Sequence, residues 1–247
     1  MDAWRLGVFY DSMPLFVCAV MLVNGRDQMV RRALRSFREQ TYRHKRLFIF
    51  DSGKEPVMPE TYDLDGDGSY RIRVLHADEA QRGLPIGALR NVCNAIIEPD
   101  IVCHWDSDDW SDPCRIEEQV ELLTGSLGVD IVGYNRLLFW QSGPERAWIY
   151  QNVNSRYAVG ASLCYWHRVW CARRFRDDMP ARPGATGEDT EFLRERTVLG
   201  VDAIQDRPQM IAAIHGANSM PYDNLERSPS WQRATEWDNA CRAIMQL

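Results

Sequence analysis

The chain has 247 residues, of which 45% are hydrophobic and 26% are charged, and its formal net charge at pH 7 is −6. These values are ordinary for a soluble globular domain with a substantial core. The negative charge argues against a general nucleic-acid binder or a protein that binds anionic membranes, although it still allows a local basic groove.

Seven cysteines are scattered along the chain without CxxC spacing, and several stand inside apolar runs. This pattern indicates small core residues in a reducing compartment. The N-terminus lacks a basic region followed by an apolar stretch, and no apolar run reaches about 18 residues. The sequence therefore predicts a cytoplasmic protein without membrane-spanning segments.

The first part of the chain predicts a βαβ unit. After an irregular lead-in over residues 1–14, the continuous apolar run at 15–23 is typical of a strand buried on both faces of a parallel sheet. Apolar residues then recur at helical spacing from Val30 to Phe37. A second strand is predicted over 46–50, which makes the crossover parallel and right-handed.

The next segment, residues 54–69, is rich in Pro, Asp and Gly and is predicted to be a solvated turn. Asp63–Gly68 matches the start of an EF-hand loop, but the position that should supply a bidentate Glu is Val74. A third strand is predicted over 70–75, and a second amphipathic helix follows over 86–97.

The fourth predicted strand, over 101–105, leads into the stretch Asp106-Ser107-Asp108-Asp109-Trp110. Three carboxylates within four residues are hard to hold together without a cation, and hard divalent ions prefer carboxylate oxygens. Ligands of open α/β sheets bind beyond the carboxyl ends of the strands. The alternative interpretation is an acidic turn before a helix that has Pro113 at its first position.

After Gly128 the pattern changes to short runs rich in aromatic and β-branched residues, which favour a mixed or antiparallel region. These runs cover residues 129–134, 137–140, 147–152 and 159–165. The remaining predicted elements are a loop over 184–187, a helix that begins at Glu188-Asp189, strands over 201–204 and 210–214 with His215 after the second, and a helix over 231–247.

Several separate pieces of the sequence resemble the family 2 glycosyltransferases. The pieces are the first strand with Asn24, Ser36 with Gln40-Thr41-Tyr42, Asp51-Ser52-Gly53, Gly87-Ala88-Leu89-Arg90-Asn91, Asp106-Ser107-Asp108-Asp109, Arg115-Ile116-Glu117, Gly187-Glu188-Asp189 and His215-Gly216-Ala217-Asn218. They follow the family's order and span roughly residues 15–220. Val23-Asn24-Gly25 departs from the pattern, because the family more often has Thr or Ser near the Asn.

The resemblance implies an α/β fold of the GT-A type. It would be a single Rossmann-like, doubly wound domain with a central, mainly parallel mixed sheet and a small antiparallel region on the acceptor side. The domain would cover 15–220, divided into a nucleotide-sugar-binding half (15–127) and an acceptor and catalytic half (128–220). A helical tail over 221–247 would follow.

The resemblance also implies an inverting hexosyltransferase that uses a nucleotide-diphosphate sugar, with a UDP-sugar favoured. Asp108 would bind Mn²⁺ or Mg²⁺, and Asp106 would hold the metal, its bound water or the ribose. His215 would be a further metal ligand as neutral imidazole. The cation would neutralise the charge that grows on the leaving diphosphate.

The other roles that the resemblance implies concern the donor and the acceptor. Asp189 would be the general base that takes the proton of the acceptor hydroxyl. Glu188 would hold the geometry or the acceptor beside it. The candidates for donor binding are Asn24, Asp51 at the nucleotide base, Arg90 at the diphosphate, Asn91, Asp106 and Ser107, and the candidates for sugar or acceptor contact are Asp109 and Trp110.

These residues also have structural interpretations. The carboxylates of Glu188 and Asp189 would favour the positive end of a helix, and Asp51 could be a turn residue. The other two functional classes left open are a metal-dependent nucleotidyltransferase or phosphohydrolase and an inactive sugar-nucleotide-binding module. The sequence contains neither GxGxxG nor GxxxxGK, the phosphate-binding loops that the first class favours.

No motif in residues 135–187 identifies the acceptor. The classes left open are a glycan, a lipid-linked sugar, a protein side chain and modified DNA, of which the acidic balance disfavours the last. The four other histidines are interpreted as ordinary structural residues.

Overall fold

The computed structural model describes residues 14–25, 27–57, 62–64, 70–178, 187–216, 218 and 225–246. The first half of the chain contains β1 (Val17–Val23), α1 (Asp27–Arg38), β2 (Lys45–Asp51), β3 (Tyr62–Leu64), β4 (Tyr70–His76), α2 (Ile86–Ile96), β5 (Ile101–His104), β6 (Trp110–Ser111) and α3 (Arg115–Gly125). The second half contains β7 (Ile131–Gln141), β8 (Arg146–Gln151), β9 (Cys164–Trp166), α4 (His167–Ala172), α5 (Glu188–Leu193), β10 (Val198–Asp202), β11 (Met210–Ile214), β12 (Trp231–Arg233) and α6 (Asp238–Met245).

One sheet joins these strands in the order β12-β8-β7-β9-β5-β1-β2-β4-β3, with β10 and β11 paired to β7, and β6 to β11. The strands β5, β1, β2 and β4 are parallel, as the βαβ pattern predicts. β9 is antiparallel to both β5 and β7, which places the mixed region next to the parallel one. The predicted α/β class with a mainly parallel mixed sheet is therefore confirmed.

Alternate residues of β1 pack against helices on opposite faces of the sheet, because successive side chains of a strand point to opposite sides. Val17, Ala19 and Met21 belong to the core that contains the apolar faces of α1 and α3. Cys18 and Val20 belong to the core that contains α2, α4 and α5. This explains why the strand is apolar throughout rather than alternating.

The predicted boundaries differ from the structure at several places. The solvated turn predicted over 54–69 contains β3, which is antiparallel to β4; residues 58–61 and 65–69 lie outside the described residues. The two strands predicted over 129–140 are one strand, β7, because both of its edges pair with neighbours along its length. The strand predicted over 159–165 begins instead with a 3₁₀ turn at Gly160–Ser162.

Pro113 precedes α3 and is not its first residue, since the helix begins at Arg115. The segment before α3 is held by the loop that follows α1. Gln40 donates from Nε2 to the Asp112 carbonyl at 2.6 Å, and the Thr41 N–H donates to the Pro113 carbonyl at 2.8 Å. Gln40 also accepts the Ile116 N–H at 3.0 Å, so this side chain fixes the start of the helix.

The tail after residue 224 is only partly helical. Trp231–Arg233 forms β12, antiparallel to β8, and the helix α6 begins at Asp238. The Trp231 ring lies 4.7 Å from the Phe139 ring and 5.1 Å from the Tyr150 ring, between centroids. Aromatic packing across the sheet therefore favours a strand at Trp231, where the apolar spacing had predicted a helix.

All seven cysteines are free thiols. Within the described ranges, no helix combines the length and the apolar character needed to cross a membrane.

Candidate active site

The acidic stretch lies in the loop between β5 and β6, at the carboxyl end of the parallel strands. We call the part that carries the carboxylates, Asp106–Asp109, the acidic loop. One carboxylate oxygen from each of Asp106, Asp108 and Asp109 lies within 4.8 Å of the other two. Asp108 and Asp109 are buried, whereas the Asp106 side chain is 38% exposed. The carboxylates therefore form one cluster that opens to solvent at Asp106.

His215 reaches this cluster from the far end of the chain. Its Nε2 lies 2.8 Å from Asp108 Oδ2, although the two residues are 107 positions apart. The contact follows from the sheet, because β11 runs antiparallel to β6 and delivers the residue after Ile214 beside the acidic loop. Asn218 fixes this end by accepting the His215 N–H at 2.6 Å and donating to the Ala213 carbonyl at 3.0 Å.

Asp109 is the innermost carboxylate of the cluster. Its Oδ1 accepts the Ala213 N–H at 2.8 Å, which ties the acidic loop to β11. Burial and the charges of Asp108 and Asp106 raise the Asp109 pKa well above its usual range. A divalent cation would offset this repulsion, and three carboxylates with one imidazole form a donor set suited to Mn²⁺ or Mg²⁺.

Arg32, on α1, links the acidic loop to the end of α6 through hydrogen bonds. Its guanidinium donates to the Asp108 main-chain carbonyl and, from Nη1 at 2.6 Å, to the carbonyl of Met245 at the end of α6. Burial lowers the Arg32 pKa, and the charges of Asp109 and Asp108 oppose this effect. No sequence signal separates this arginine from the other arginines of α1, so sequence analysis missed it.

An acidic pair, Glu188-Asp189, begins α5, as predicted. Arg90 on α2 lies between this pair and the acidic loop: its Nε is 3.4 Å from Glu188 Oε1, and its Nη2 is 3.9 Å from Asp106 Oδ1. Its side chain is only 7% exposed. One buried guanidinium therefore connects Asp106, a predicted metal ligand, with Glu188, the residue beside the predicted base.

The positions of Arg90, Asp106 and Glu188 explain the pKa shifts of Arg90 and Glu188. Burial lowers the Arg90 pKa, but the charges of Asp106, Glu188, Tyr165 and Asp189 together more than compensate, and the pKa is raised. Burial raises the pKa of Glu188, while Arg90 opposes the shift. The Asp189 Oδ1 accepts the N–H of Thr190 at 2.7 Å, within the first turn of α5.

The candidates for the nucleotide lie at the ends of neighbouring strands. Val23 pairs with Asp51, so Asn24, which is exposed, follows β1 beside the end of β2. Asp51 is buried and accepts two N–H groups of its own turn, from Gly53 at 2.9 Å and from Val57 at 2.8 Å. These bonds make Asp51 a turn residue, and its contact with a nucleotide base stays a prediction.

Asn91, next to Arg90 on α2, has other partners. Its Oδ1 accepts the Phe175 N–H at 3.0 Å and the Trp170 indole N–H at 2.9 Å, and its Nδ2 donates to the Phe175 carbonyl at 2.9 Å. Adjacent helical residues point about 100° apart, so Arg90 faces the carboxylates while Asn91 holds the chain at Phe175. Its predicted role in donor binding gains no support from these contacts.

The last two candidates are Ser107, which is buried, and Trp110, which is half-buried and packs against the core that includes α6. The contacts of Arg115 and His104 were not predicted from the sequence. Arg115 is buried and donates to the carbonyls of His104 at 2.9 Å and Ala161 at 3.1 Å. It thereby ties the end of β5 to the 3₁₀ turn.

The chain is similar to known proteins in sequence and in structure. A family model, glycosyl transferase family 2, matches residues 18–195. TarS (residues 1–349) from S. aureus in complex with UDP-GlcNAc is similar in structure, with a TM-score of 0.60 and 11% identity over 83% of this chain and 60% of that chain. The mannosyltransferase PcManGT from Pyrobaculum calidifontis in complex with GDP-Man and Mn²⁺ has a TM-score of 0.56 and 11% identity over 86% of this chain.

At these identities the structural likeness establishes the fold, of the GT-A type. The chain spans 59% of the length of PcManGT and 60% of that of the TarS fragment. No curated protein sequence matches the chain.

Proposed function

The chain belongs to glycosyl transferase family 2, and from this we propose that it transfers a sugar, with inversion, from a nucleotide-diphosphate sugar to an acceptor hydroxyl. The observation that carries the proposal is the contact between His215 and Asp108, 2.8 Å apart. It completes a mixed oxygen and nitrogen donor set beside the acidic loop. Neither an acidic turn nor a strand-end histidine requires this convergence.

The metal residues of the proposed site are Asp106, Asp108 and His215, with Asp109 supporting them through its bond to Ala213. When bound, Mn²⁺ or Mg²⁺ acts as a Lewis acid that stabilises the charge on the leaving diphosphate. The Mn²⁺ in the PcManGT complex supports a divalent metal here. Asp109 and Trp110 are the proposed contacts to the sugar or acceptor.

The donor would lie across the carboxyl ends of β1, β2 and β5. Asn24 and Asp51 stand at the first two strand ends, and Ser107 and Asp106 follow the third. Arg90 would meet the diphosphate, since a guanidinium suits phosphate oxygens. We favour a UDP-sugar because the TarS structure contains UDP-GlcNAc, while GDP-Man in PcManGT keeps GDP-sugars in the test.

Asp189 is the proposed general base. Inversion requires a base on the face of the sugar opposite the leaving group, where it takes the proton of the attacking hydroxyl. The bridge from Asp106 through Arg90 to Glu188 supports this role, because it fixes the acidic pair relative to the acidic loop. The transition state would be oxocarbenium-like, as in glycoside hydrolysis.

The proposal extends to the organisation of the chain. Residues 15–220 form the proposed transferase domain, with the donor half at 15–127 and the acceptor half at 128–220, and we propose that the protein acts in the cytoplasm. The acceptor would be a glycan, a lipid-linked sugar or another hydroxyl compound.

A thermal-shift panel tests the proposed function. UDP-, GDP-, CDP- and dTDP-sugars are each added with Mn²⁺ and with EDTA. A ligand at 100 times its Kd that binds only the folded state stabilises it by about 2.7 kcal/mol. We expect a shift for one nucleotide that EDTA abolishes, together with release of nucleoside diphosphate. Release of sugar 1-phosphate instead would indicate attack at the α-phosphate, as in a nucleotidyltransferase or phosphohydrolase, and a shift without turnover would indicate a binding module.

A further inference from the structure

The Asp189 carboxylate is enclosed by two glycines. A Cβ atom added at Gly160 would lie 1.9 Å from Asp189 Oδ2 and 2.7 Å from its Cγ, and one added at Gly187 would lie 2.5 Å from Oδ1. Real Cβ contacts below 3.0 Å essentially do not occur. Neither glycine has a φ in the left-handed region. A larger residue is therefore excluded at these two positions by the volume of its side chain and not by the backbone conformation.

The turn that contains Gly160 is fixed from several sides. The Gly160 carbonyl accepts a hydrogen bond from His104 Nδ1 at 2.6 Å, and the carbonyl of Ala161 accepts one from Arg115 at 3.1 Å. Ser162 is bound on both sides, because its Oγ accepts the Tyr134 N–H at 2.8 Å and donates to the Val159 carbonyl at 2.7 Å. A methyl group at position 160 would therefore displace the carboxylate rather than the turn.

His104 holds the Gly160 turn in place from the end of β5. It is the last residue of β5, two positions before Asp106, and it is fully buried against the Tyr165 and Phe175 rings. The contact with a carbonyl places a proton on Nδ1, which donates to Gly160, and Nε2 has no hydrogen-bond partner within the described part of the chain.

We propose that Gly160, held in place by His104, is a positioning residue that sets where Asp189 Oδ2 meets the attacking hydroxyl. The inference rests on the proposed function, because it takes Asp189 as the base. Oδ1 accepts the Thr190 N–H, which lowers the basicity of that oxygen, so the proton goes to Oδ2, the oxygen against Gly160. As it does so, the acceptor O–H bond breaks, the oxygen bonds to the anomeric carbon, and the diphosphate leaves with its electron pair.

The test compares glycine-to-alanine variants in a reaction that needs no identified acceptor. The probes are UDP-GlcNAc and GDP-Man with Mn²⁺, with water as the nucleophile, and the readouts are kcat for nucleoside diphosphate release and the donor-induced thermal shift. A displacement of about 1 Å near the reacting atoms can cost about 100-fold in rate. We therefore expect Gly160→Ala to lower kcat about 100-fold while the metal-dependent thermal shift stays unchanged.

Further variants make this result specific. In Gly187→Ala the added Cβ would clash with Asp189 Oδ1, so this variant should also lower kcat. It provides the test if Gly160→Ala does not fold. Gly143→Ala is the matched control, because nothing lies within 4 Å of the added Cβ, and it should keep the wild-type kcat. In the Asp189→Asn background, Gly160→Ala should have no further effect, since residues that act as a unit are non-additive.

The outcomes separate the two proposals. If the wild type turns over and folded Gly160→Ala keeps kcat within about twofold, the positioning role is wrong and the transferase proposal stands. An equal loss in the wild-type and Asp189→Asn backgrounds would also overturn it, because Gly160 would then act on something other than Asp189. Absence of turnover in the wild type with every donor would overturn both.

Discussion

At the level of single residues, the proposed metal site depends on the contact between Asp108 and His215. Asp108→Asn replaces a charged oxygen ligand by a neutral amide and keeps the size of the side chain. We expect this variant to fold but to lose the Mn²⁺-dependent thermal shift with a nucleotide sugar, and His215→Ala to weaken it. Asp206→Asn, in an exposed turn, is the control and should respond as the wild type does. An unchanged shift in Asp108→Asn would exclude this residue as a ligand.

Asp189 gives a different expectation, because its proposed role is in the chemical step. Asp189→Asn cannot accept the proton, so we expect transfer to fall by about 10²–10⁴-fold. Metal-dependent donor binding should remain, since Asp189 is outside the acidic cluster and its neighbour Glu188 is separated from Asp106 by Arg90. The measurement is release of nucleoside diphosphate beside the thermal shift, with Asp177→Asn as an exposed control. Transfer at the wild-type rate would show that another group is the base.

At the level of elements, Arg115 joins β5, α3 and the 3₁₀ turn. Its guanidinium donates to the carbonyls of His104 and Ala161 and to Ser111 Oγ, the last at 2.8 Å. Arg115→Met would leave the buried carbonyl of His104, the partly buried carbonyl of Ala161 and the buried Ser111 hydroxyl without these donors, and each unmet buried group costs about 1–3 kcal/mol.

We therefore expect Arg115→Met to lower the free energy of unfolding by roughly 3 kcal/mol or more in urea denaturation. The matched control is Arg146→Met, because the ion pair of Arg146 with Glu226 is exposed and such pairs contribute little. A loss for Arg115→Met no larger than that of the control would contradict the structural role.

The long strand β7 explains how the acceptor half joins the donor half. It pairs with β8, β9, β10 and β11, and β9 pairs in turn with β5. His215, which follows β11, is thereby brought beside the acidic loop, and Arg90 connects this loop to Glu188 at the start of α5. The antiparallel region is thus part of the central sheet and not a separate layer.

At the level of the whole molecule, His104 predicts how stability depends on pH. Its pKa is lowered well below 6.5 by burial, so the unfolded chain binds a proton below about pH 6.5 that the folded protein does not bind. The stability contributed by the neutral ring is therefore fully present above that pH. It is lost as the pH falls, by about 1.4 kcal/mol per pH unit for one proton, until the folded-state pKa is reached.

His104→Asn tests this expectation, because Asn Nδ2 is as many bonds from Cα as His Nδ1 and can donate to Gly160 without titrating. Urea denaturation between pH 7 and pH 5, with EDTA throughout, should show a shallower loss of stability for the variant than for the wild type. His44→Asn, at an exposed position, is the control. Equal slopes for the wild type and His104→Asn would exclude His104 as the source.

The sequence by itself determined the parts of this protein that depend on local periodicity. The apolar run of β1 predicted a strand buried on both faces, the spacing from Val30 to Phe37 predicted α1, and the position of the acidic stretch after β5 predicted a site at that edge. Each signal arises from neighbouring residues that share one element, so a short window contains it. Together with the order of its motifs, these features also indicated the family.

Only the tertiary structure decided which of these residues meet. The 2.8 Å contact of His215 with Asp108 and the bridge through Arg90 depend on strand pairing and helix placement across the whole chain. Gly160 carries no local signal at all, because its importance comes from a carboxylate on another element that leaves no room for a Cβ. Periodicity reports which face of an element is buried, but the partner on that face is set by long-range packing.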